Sequence, residues 1–208
     1  MDKPSIRILV VDDHAVTRLG IVSLLETEDD FRVVGQAEDG EAAVREARRT
    51  HPDVVVMDLM MPKMDGFEAT RRILQDLPQT KILILTTFGG ADSIAHTLEA
   101  GATGAIMKST DTAAFPDVIR KIAAGQRIVD PEIAKLMNEH PPIPTLTERQ
   151  QEILMSVMRG LTNKDIAQLL GITTESIKDH IRAIFAKIGA ANRAEAVSIA
   201  LRRHLLKI

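Results

Sequence analysis

From Ile6 to Ala124, short apolar runs alternate with longer amphipathic stretches. Ile6 to Val11 reads as a first strand, followed at once by Asp12 and Asp13. A helical spacing through Leu19, Val22 and Leu25 then runs to about Glu26. Phe31 to Ala37 reads as a second strand, and Gly40 to Arg49, with Ala42, Ala43 and Ala47 among charges, as a surface helix. Pro52 resets the chain, and a third strand runs through Val54, Val55 and Val56 to Met57, ending in Asp58. Pro62 and Asp65-Gly66 mark a turn. The spacing then predicts a helix over Gly66 to Gln75, with Phe67, Thr70, Ile73 and Leu74 on one side. Lys81 to Leu85 is a fourth strand ending in Thr86-Thr87, and Ala91 to Ala100 a helix closed by Gly101. Ala105 to Met107 is a fifth strand ending in Lys108, and Thr112 to Ala124 a helix stopped by Gly125. Five strands alternating with five helices demand a parallel, doubly wound sheet with right-handed crossovers.

The pattern changes after that. Gly125 to Met137 is a short extension with one more helix. Asn138 to Thr145 carries His140, Pro141, Pro142 and Pro144, which favours an extended, semi-rigid connection. Beyond it the periodicity is helical only. Thr147 with Gln150 is a capping-box pattern opening a helix to about Arg159, ended by Gly160. Thr162 caps Asn163 to Leu170, and Gly171-Ile172-Thr173 is a tight turn. Thr173 caps a helix from Thr174 to about Ile188, and Arg193 to Leu206 is the last helix. The boundaries are therefore 1–126, an extension and linker at 127–145, and an all-α unit at 146–208.

Composition sharpens this division. The chain has 208 residues, is 45% hydrophobic and has five Phe with no Trp or Tyr, so its core is aliphatic. The absence of cysteine excludes disulfides, thiolate metal sites and a Cys nucleophile. No secretion signal and no membrane span is visible, so a cytoplasmic location is expected. The net charge of −3 conceals an asymmetry: from Thr145 onward there are 10 Lys+Arg and 6 Asp+Glu, while the rest of the chain holds 16 and 23. The acidic front repels nucleic acid, and the basic back is suited to hold it.

Asp12, Asp13, Asp58, Thr86 and Lys108 all fall at carboxyl ends of expected strands, which lie along one edge of such a sheet. Taken singly each has an ordinary explanation: a helix cap for either early Asp, a loop or cap for Asp58, a solvated Lys108, a β-branched filler at Thr86. Taken together they point to one pocket. Clustered carboxylates repel one another unless a cation sits among them, and hard oxygen ligands suit Mg²⁺. A carboxylate beside Mg²⁺ and a lysine can accept a phosphoryl group as an acyl phosphate.

These residues resemble the receiver domain of two-component response regulators, over roughly Ile6 to Ala124. The resemblance implies a flavodoxin-like fold, with Asp58 as phosphoacceptor and Thr86 and Lys108 as the switch hydroxyl and phosphate-binding lysine. It implies Mg²⁺ ligation by Asp12, Asp13, Asp58 and the Met60 carbonyl. One departure stands out: the family has Tyr or Phe three residues before the lysine, and this chain has Ala105. Phe88 is a candidate substitute. Met60 and Phe88, each two residues past a site residue, are apolar and cannot orient an attacking water, so slow self-dephosphorylation is expected.

The two helices flanking Gly171 form a helix-turn-helix signature, for which an ordinary helical bundle is the alternative. Thr147, Arg149, Gly160, Asn163, Ile166-Ala167, Ile177-Lys178, His180, Ile184, Phe185, Lys187, Asn192-Arg193 and Ala196 resemble the LuxR-type DNA-binding domain, from Leu146 to about Leu205. Both resemblances together describe a NarL/FixJ-type regulator. In the helix from Thr174, the residues Ile177, Ile181, Ile184, Phe185 and Ile188 share a core face. Glu175, Asp179, Arg182, Ala183 and Ala186 form the opposite face, with Lys178 at its margin, and this face is expected in the major groove. The candidate DNA contacts are Thr162, Asn163, Lys164, Thr174, Lys178, Asp179, Arg182 and Lys187. Asp179 either accepts from cytosine N4 or pairs with Arg182 and orients it. In the family the last helix pairs two DNA-binding domains; here its stripe of Ala196, Val197, Ala200 and Leu201 could equally be buried within one, and Arg202, Arg203 and Lys207 could be solvated surface.

The expected function is a DNA-binding transcriptional regulator, phosphorylated by a sensor histidine kinase and dimerising on two-fold double-stranded DNA sites. The alternative is a constitutive DNA-binding regulator whose receiver no longer switches, motivated by Ala105. An enzyme is disfavoured, since there is no second acid two residues after Asp58 and no G-x-S-x-G elbow. An RNA-binding output is disfavoured by the lack of stacking aromatics.

Overall fold

The structure, a computed structural model, describes residues 5–87, 91–139, 146–202 and Leu205. Contacts divide the chain into two compact units, Met1–Pro141 and Pro142–Ile208.

The first unit contains β1 (Ile6–Val11), α1 (Ala15–Leu25), β2 (Phe31–Ala37), α2 (Gly40–Thr50), β3 (Val54–Asp58), α3 (Gly66–Asp76), β4 (Lys81–Thr86), α4 (Ala91–Glu99), β5 (Gly104–Met107), α5 (Phe115–Ala123), β6 (Ile128–Val129) and α6 (Pro131–Glu139). The strands form one parallel sheet in the order β2-β1-β3-β4-β5-β6. Apolar clusters cover both faces, which is why the strands read as continuous apolar runs. Leu9, Val55, Met57, Ile84 and Ala105 pack on the side of α2, α3 and α4, while Ile8, Val10, Val54, Val56 and Leu83 pack with Leu25 of α1 and Ile119 and Ile122 of α5. The order reverses between β1 and β3, where Val11 lies opposite Met57. The next residues, Asp12 and Asp58, therefore flank the crevice where such sheets place ligands.

The sheet has six strands rather than the expected five. Ile128 and Val129 are too short a run to announce a strand, but they pair with Gly104 and Ala105 on the edge of β5. Glycine makes this approach possible, since a Cβ on Gly104 would lie 2.4 Å from the Ile128 carbonyl oxygen. Asp130 then starts α6, accepting from Glu132 N (2.8 Å), and α6 buries Ile133 in the cluster that contains Ala105.

Helix α1 also departs from the pattern. Val22 and Leu25 are buried, but Leu19 is 58% exposed. A strict three-residue spacing lags the 3.6-residue turn, so a third member rolls out of the stripe. Helix α5 starts at Phe115 rather than Thr112, because Pro116 favours the first helical turn and residues 112–114 form a turn before it.

The second unit has α7 (Glu148–Met158), α8 (Asn163–Leu170), α9 (Thr174–Ile188) and α10 (Arg193–Arg202). Thr147–Gln150 and Thr162–Asp165 are complete capping boxes, and the Thr173 hydroxyl accepts from Ser176 N. Ile153, Leu154, Val157, Ile166, Ile177, Ile184, Ile188 and Ala196 form the core. Two arginines satisfy helix-end carbonyls: Arg149 donates to Leu170 O (3.3 Å), and Arg193 to Val157 O (3.1 Å). Among the described residues, no helix is long and apolar enough to cross a membrane.

Candidate functional site

Asp12 follows β1, and its backbone N–H donates to Ala37 O (3.1 Å). Its side chain is buried; Oδ1 accepts from His14 N (2.8 Å) and its carbonyl from Arg18 (2.6 Å). Asp58 is the last residue of β3 and is also buried. The chain after it folds back tightly: Gly66 N donates to Leu59 O (3.0 Å), and a Cβ on Gly66 would lie 2.3 Å from Asp58 O. Any other residue there would push the loop off the phosphoacceptor candidate. Thr86 ends β4, buried, and its carbonyl accepts from Lys108 N (2.7 Å), which ties the ends of β4 and β5 together.

Lys108 reaches back across the crevice. Its Nζ donates to Asp58 Oδ2 (2.9 Å) and lies 2.7 Å from Asp12 Oδ2. Asp13 is partly exposed, with Oδ1 2.7 Å from His14 Nδ1. Carboxylate oxygens of Asp12, Asp13 and Asp58 and a ring nitrogen of His14 lie within 4.8 Å of one another, close enough to share a cation. Asp12 Oδ2 and Asp13 Oδ1 are buried; the Lys108 ammonium lies against the first and His14 Nδ1 against the second. Three carboxylates facing a single ammonium leave negative charge that a further cation would offset.

The electrostatics follow from that geometry. Burial raises the Asp58 carboxyl above the ordinary range, with the Asp12 charge adding to the effect and Lys108 opposing it. Burial works against the Lys108 charge, but its contacts with Asp12 and Asp58 outweigh burial and hold its ammonium above the usual lysine value.

Two features of the site carry little signal in residue type. His14 joins the acidic cluster; its only signal is its place beside Asp12-Asp13, and it is solvent-exposed. Asp39 caps α2 through Ala42 N (2.8 Å) while Lys63 Nζ binds its other oxygen (2.5 Å). Gly40 N donates to Met64 O (3.1 Å), so the loop after β2 clamps the loop after Asp58. The hydrogen bond from Lys63, then that from Ala42, hold Asp39 below the usual carboxylate range. Met60 is exposed, and its N–H lies 3.4 Å from Asp58 Oδ1. Phe88 and the proline linker at 140–145 lie outside the described residues, as do Arg203 and Lys207.

In the second unit, Thr162 is engaged in its capping box and Asn163 is half-buried, whereas Lys164 and Thr174 are exposed. Lys178, Asp179 and Arg182 are exposed along one face of α9, with Glu175. Arg182 donates to Asp179 Oδ1 (3.0 Å) and Lys178 to Glu175 Oε2 (3.0 Å). Lys187 is half-buried and donates to Gln150 on α7 (3.1 Å), which sets it apart from the other candidates. Ile177, Ile184 and Ile188 are buried on the opposite face, with Ile181 and Phe185 partly buried. Ala196 and Ala200 of α10 lie in the same core, while Leu201 is exposed.

Comparison with known proteins agrees with both halves. Residues 8–120 match the response regulator receiver domain, and residues 144–200 the bacterial regulatory proteins of the luxR family. The response regulator protein VraR of Staphylococcus aureus (strain Mu3 / ATCC 700698) is 37% identical over 98% of this chain and 100% of its own length. The crystal structure of ChrA, a response regulator in a heme-sensing two-component system, is 35% identical, with 98% and 100% coverage and a TM-score of 0.58. A complex of the response regulator RcsB with DNA, 21% identical, covers 96% of this chain and 98% of its own, with a TM-score of 0.66, and shares the fold. This chain belongs to the two-component response regulators that join a receiver domain to a LuxR-type DNA-binding domain.

Proposed function

We propose that the protein is a transcription regulator whose DNA binding is switched by phosphorylation of Asp58. The observation that carries this reading is the bridging of Asp58 and Asp12 by Lys108 at the strand ends, at 2.9 and 2.7 Å. An Asp58 oxygen attacks the phosphorus of a phosphohistidine on a sensor kinase, or of a small phosphodonor. The P–N bond to the donor imidazole, or for an acyl phosphate donor the P–O bond to its departing carboxylate, breaks as the Asp58 O–P bond forms. Lys108 neutralises a phosphoryl oxygen and the Thr86 hydroxyl donates to another, while burial of Asp58 limits access of water.

The oxygen donors fit Mg²⁺: the Asp12, Asp13 and Asp58 carboxylates and the Met60 carbonyl would hold it. When bound, the ion offsets the charge of the carboxylates and of the incoming phosphoryl group. The apolar side chain of Met60 beside the acyl phosphate favours a long-lived phosphorylated state.

Residues 1–126 are the phosphoacceptor domain, 127–145 the extension and linker, and 146–208 the DNA-binding domain. Thr162, Asn163 and Lys164 hold the backbone, and Thr174, Lys178, Asp179, Arg182 and Lys187 approach the groove or its rim. Phosphorylated chains pair on two-fold double-stranded DNA in the cytoplasm. A constitutive regulator is the second reading, favoured by Ala105: it is buried in the same cluster as Ile133, with no ring to reorient.

The test is incubation of the full chain with radiolabelled acetyl phosphate and Mg²⁺, followed by molar mass from light scattering. Wild type should take up one phosphoryl group and dimerise. Asp58→Ala, or wild type with EDTA, should do neither. Phosphorylation with no change in mass or DNA affinity would favour the constitutive reading.

A further inference from the structure

The second unit is basic, yet its helix-turn-helix is nearly balanced. From Thr162 to Ile188 there are four bases, Lys164, Lys178, Arg182 and Lys187, and three acids, Asp165, Glu175 and Asp179. Asp165 is committed to the α8 capping box, where its Oδ2 accepts from Thr162 N (2.9 Å). Asp179 has no such capping task, and Glu175 caps nothing, although as an acid in the first turn of α9 it complements the helix N-terminus. They project from the exposed face of α9 and each pairs with the base three residues on, at 3.0 Å. Glu175 is held below the usual carboxylate range by the hydrogen bond from Lys178, so it is charged at neutral pH.

Exposed pairs of this kind contribute little to folding. Their cost falls on DNA. As Lys178 and Arg182 turn to bases or phosphates, two carboxylates are left facing a groove lined by phosphates. The groove edges differ in what they offer a carboxylate. Guanine O6 and N7 and thymine O4 are acceptors and repel it; adenine sets its N6 donor beside the N7 acceptor, which repels a second carboxylate oxygen; the cytosine N4 amino group is a donor with no acceptor beside it on that base and satisfies it.

Resting on the reading that α9 enters the major groove, we propose that Glu175 and Asp179 are specificity-determining residues. Released from Lys178 and Arg182, they admit duplexes that set cytosine N4 amino groups opposite them and penalise duplexes that do not. Arg182 beside Asp179 then suits a guanine next to that cytosine. The acids work as a filter against bulk DNA, and the three-residue pairs keep the bases from binding phosphate indiscriminately.

The test uses the full chain with beryllofluoride and Mg²⁺, a labelled random-sequence duplex pool, and duplexes selected from it. Wild type, Glu175→Gln, Asp179→Asn and the double variant are compared by fluorescence anisotropy across a salt series. Both side chains point into solvent, so the variants fold. The expected result is roughly tenfold tighter binding of the unselected pool by the double variant at low salt, with a steeper salt dependence. Sequences selected by Asp179→Asn should change from cytosine to adenine at one position of each half-site, because Asn pairs with adenine N6 and N7. Unchanged pool affinity and an unchanged selected sequence would overturn the inference alone. Failure of wild type to bind or select any duplex would overturn it together with the DNA-binding reading.

Discussion

The crevice at Asp58 and the outer face of α9 are both built from acids paired with bases, but they differ in solvent. Lys108 lies between two carboxylates that are nearly inaccessible, contributed by residues 50 and 96 positions away in sequence. The α9 pairs span three residues each and stand in water. In the crevice, water cannot replace a lost partner, so each charge is bound to the others' presence. On α9, water replaces any partner at small cost, so the pairs are free to open toward a ligand. Under the proposed reading, burial suits the first site to switching and exposure suits the second to reading DNA.

Removing Lys108 should strain this contrast most. Lys108→Ala leaves Asp12 and Asp58 buried without their cation, and is expected to cost about 3 kcal/mol near pH 7, read by urea unfolding. Mg²⁺ should restore part of the loss. A cost no larger than that of an exposed pair would place the crevice in the same class as α9.

Next in size is Ala105→Tyr. The position is buried in the cluster that also holds Ile133 of α6, so a ring overpacks it at about 2 kcal/mol, seen as a lower melting temperature. If α6 instead detaches, hydrogen exchange along residues 128–138 should rise.

Asp58→Asn tests the sign of the burial effect. Burial sets the folded value of Asp58 above the unfolded value of about 4, so ionisation favours the unfolded chain. The stabilisation linked to its protonation is complete below about pH 4 and is lost as pH rises through the folded value. Without Mg²⁺, Asp58→Asn should therefore be more stable than wild type at pH 7 in urea unfolding, with the gap closing as pH falls toward about 4. The smallest effect belongs to α9: Asp179→Asn should change stability by less than about 0.5 kcal/mol in the same assay, while altering which duplexes bind.

The same contrast explains what could be read in advance. Strand-end positions are fixed by strand boundaries, and apolar runs mark those boundaries clearly, so the approach of Asp12, Asp58 and Lys108, with Thr86 at the adjoining strand end, is legible from order. Helix α9 was legible for a similar reason: Thr173 and Gly189 bracket a stripe of isoleucines. What escaped the pattern depends on tertiary neighbours. Ile128–Val129 becomes a strand because Gly104 lets it approach, and Asp39 meets Lys63 because two loops lie side by side. Leu19 reads as core by spacing but faces solvent on α1. His14 enters the acidic cluster by backbone geometry that no residue count encodes.

The most direct measurement is the affinity of the full chain for a selected duplex, with Mg²⁺, before and after beryllofluoride, in wild type and Asp58→Ala. Wild-type affinity is expected to rise by about tenfold or more, a typical coupling between two sites, and that of Asp58→Ala to stay at the resting value. Equal affinity in all four conditions would contradict control of DNA binding through Asp58.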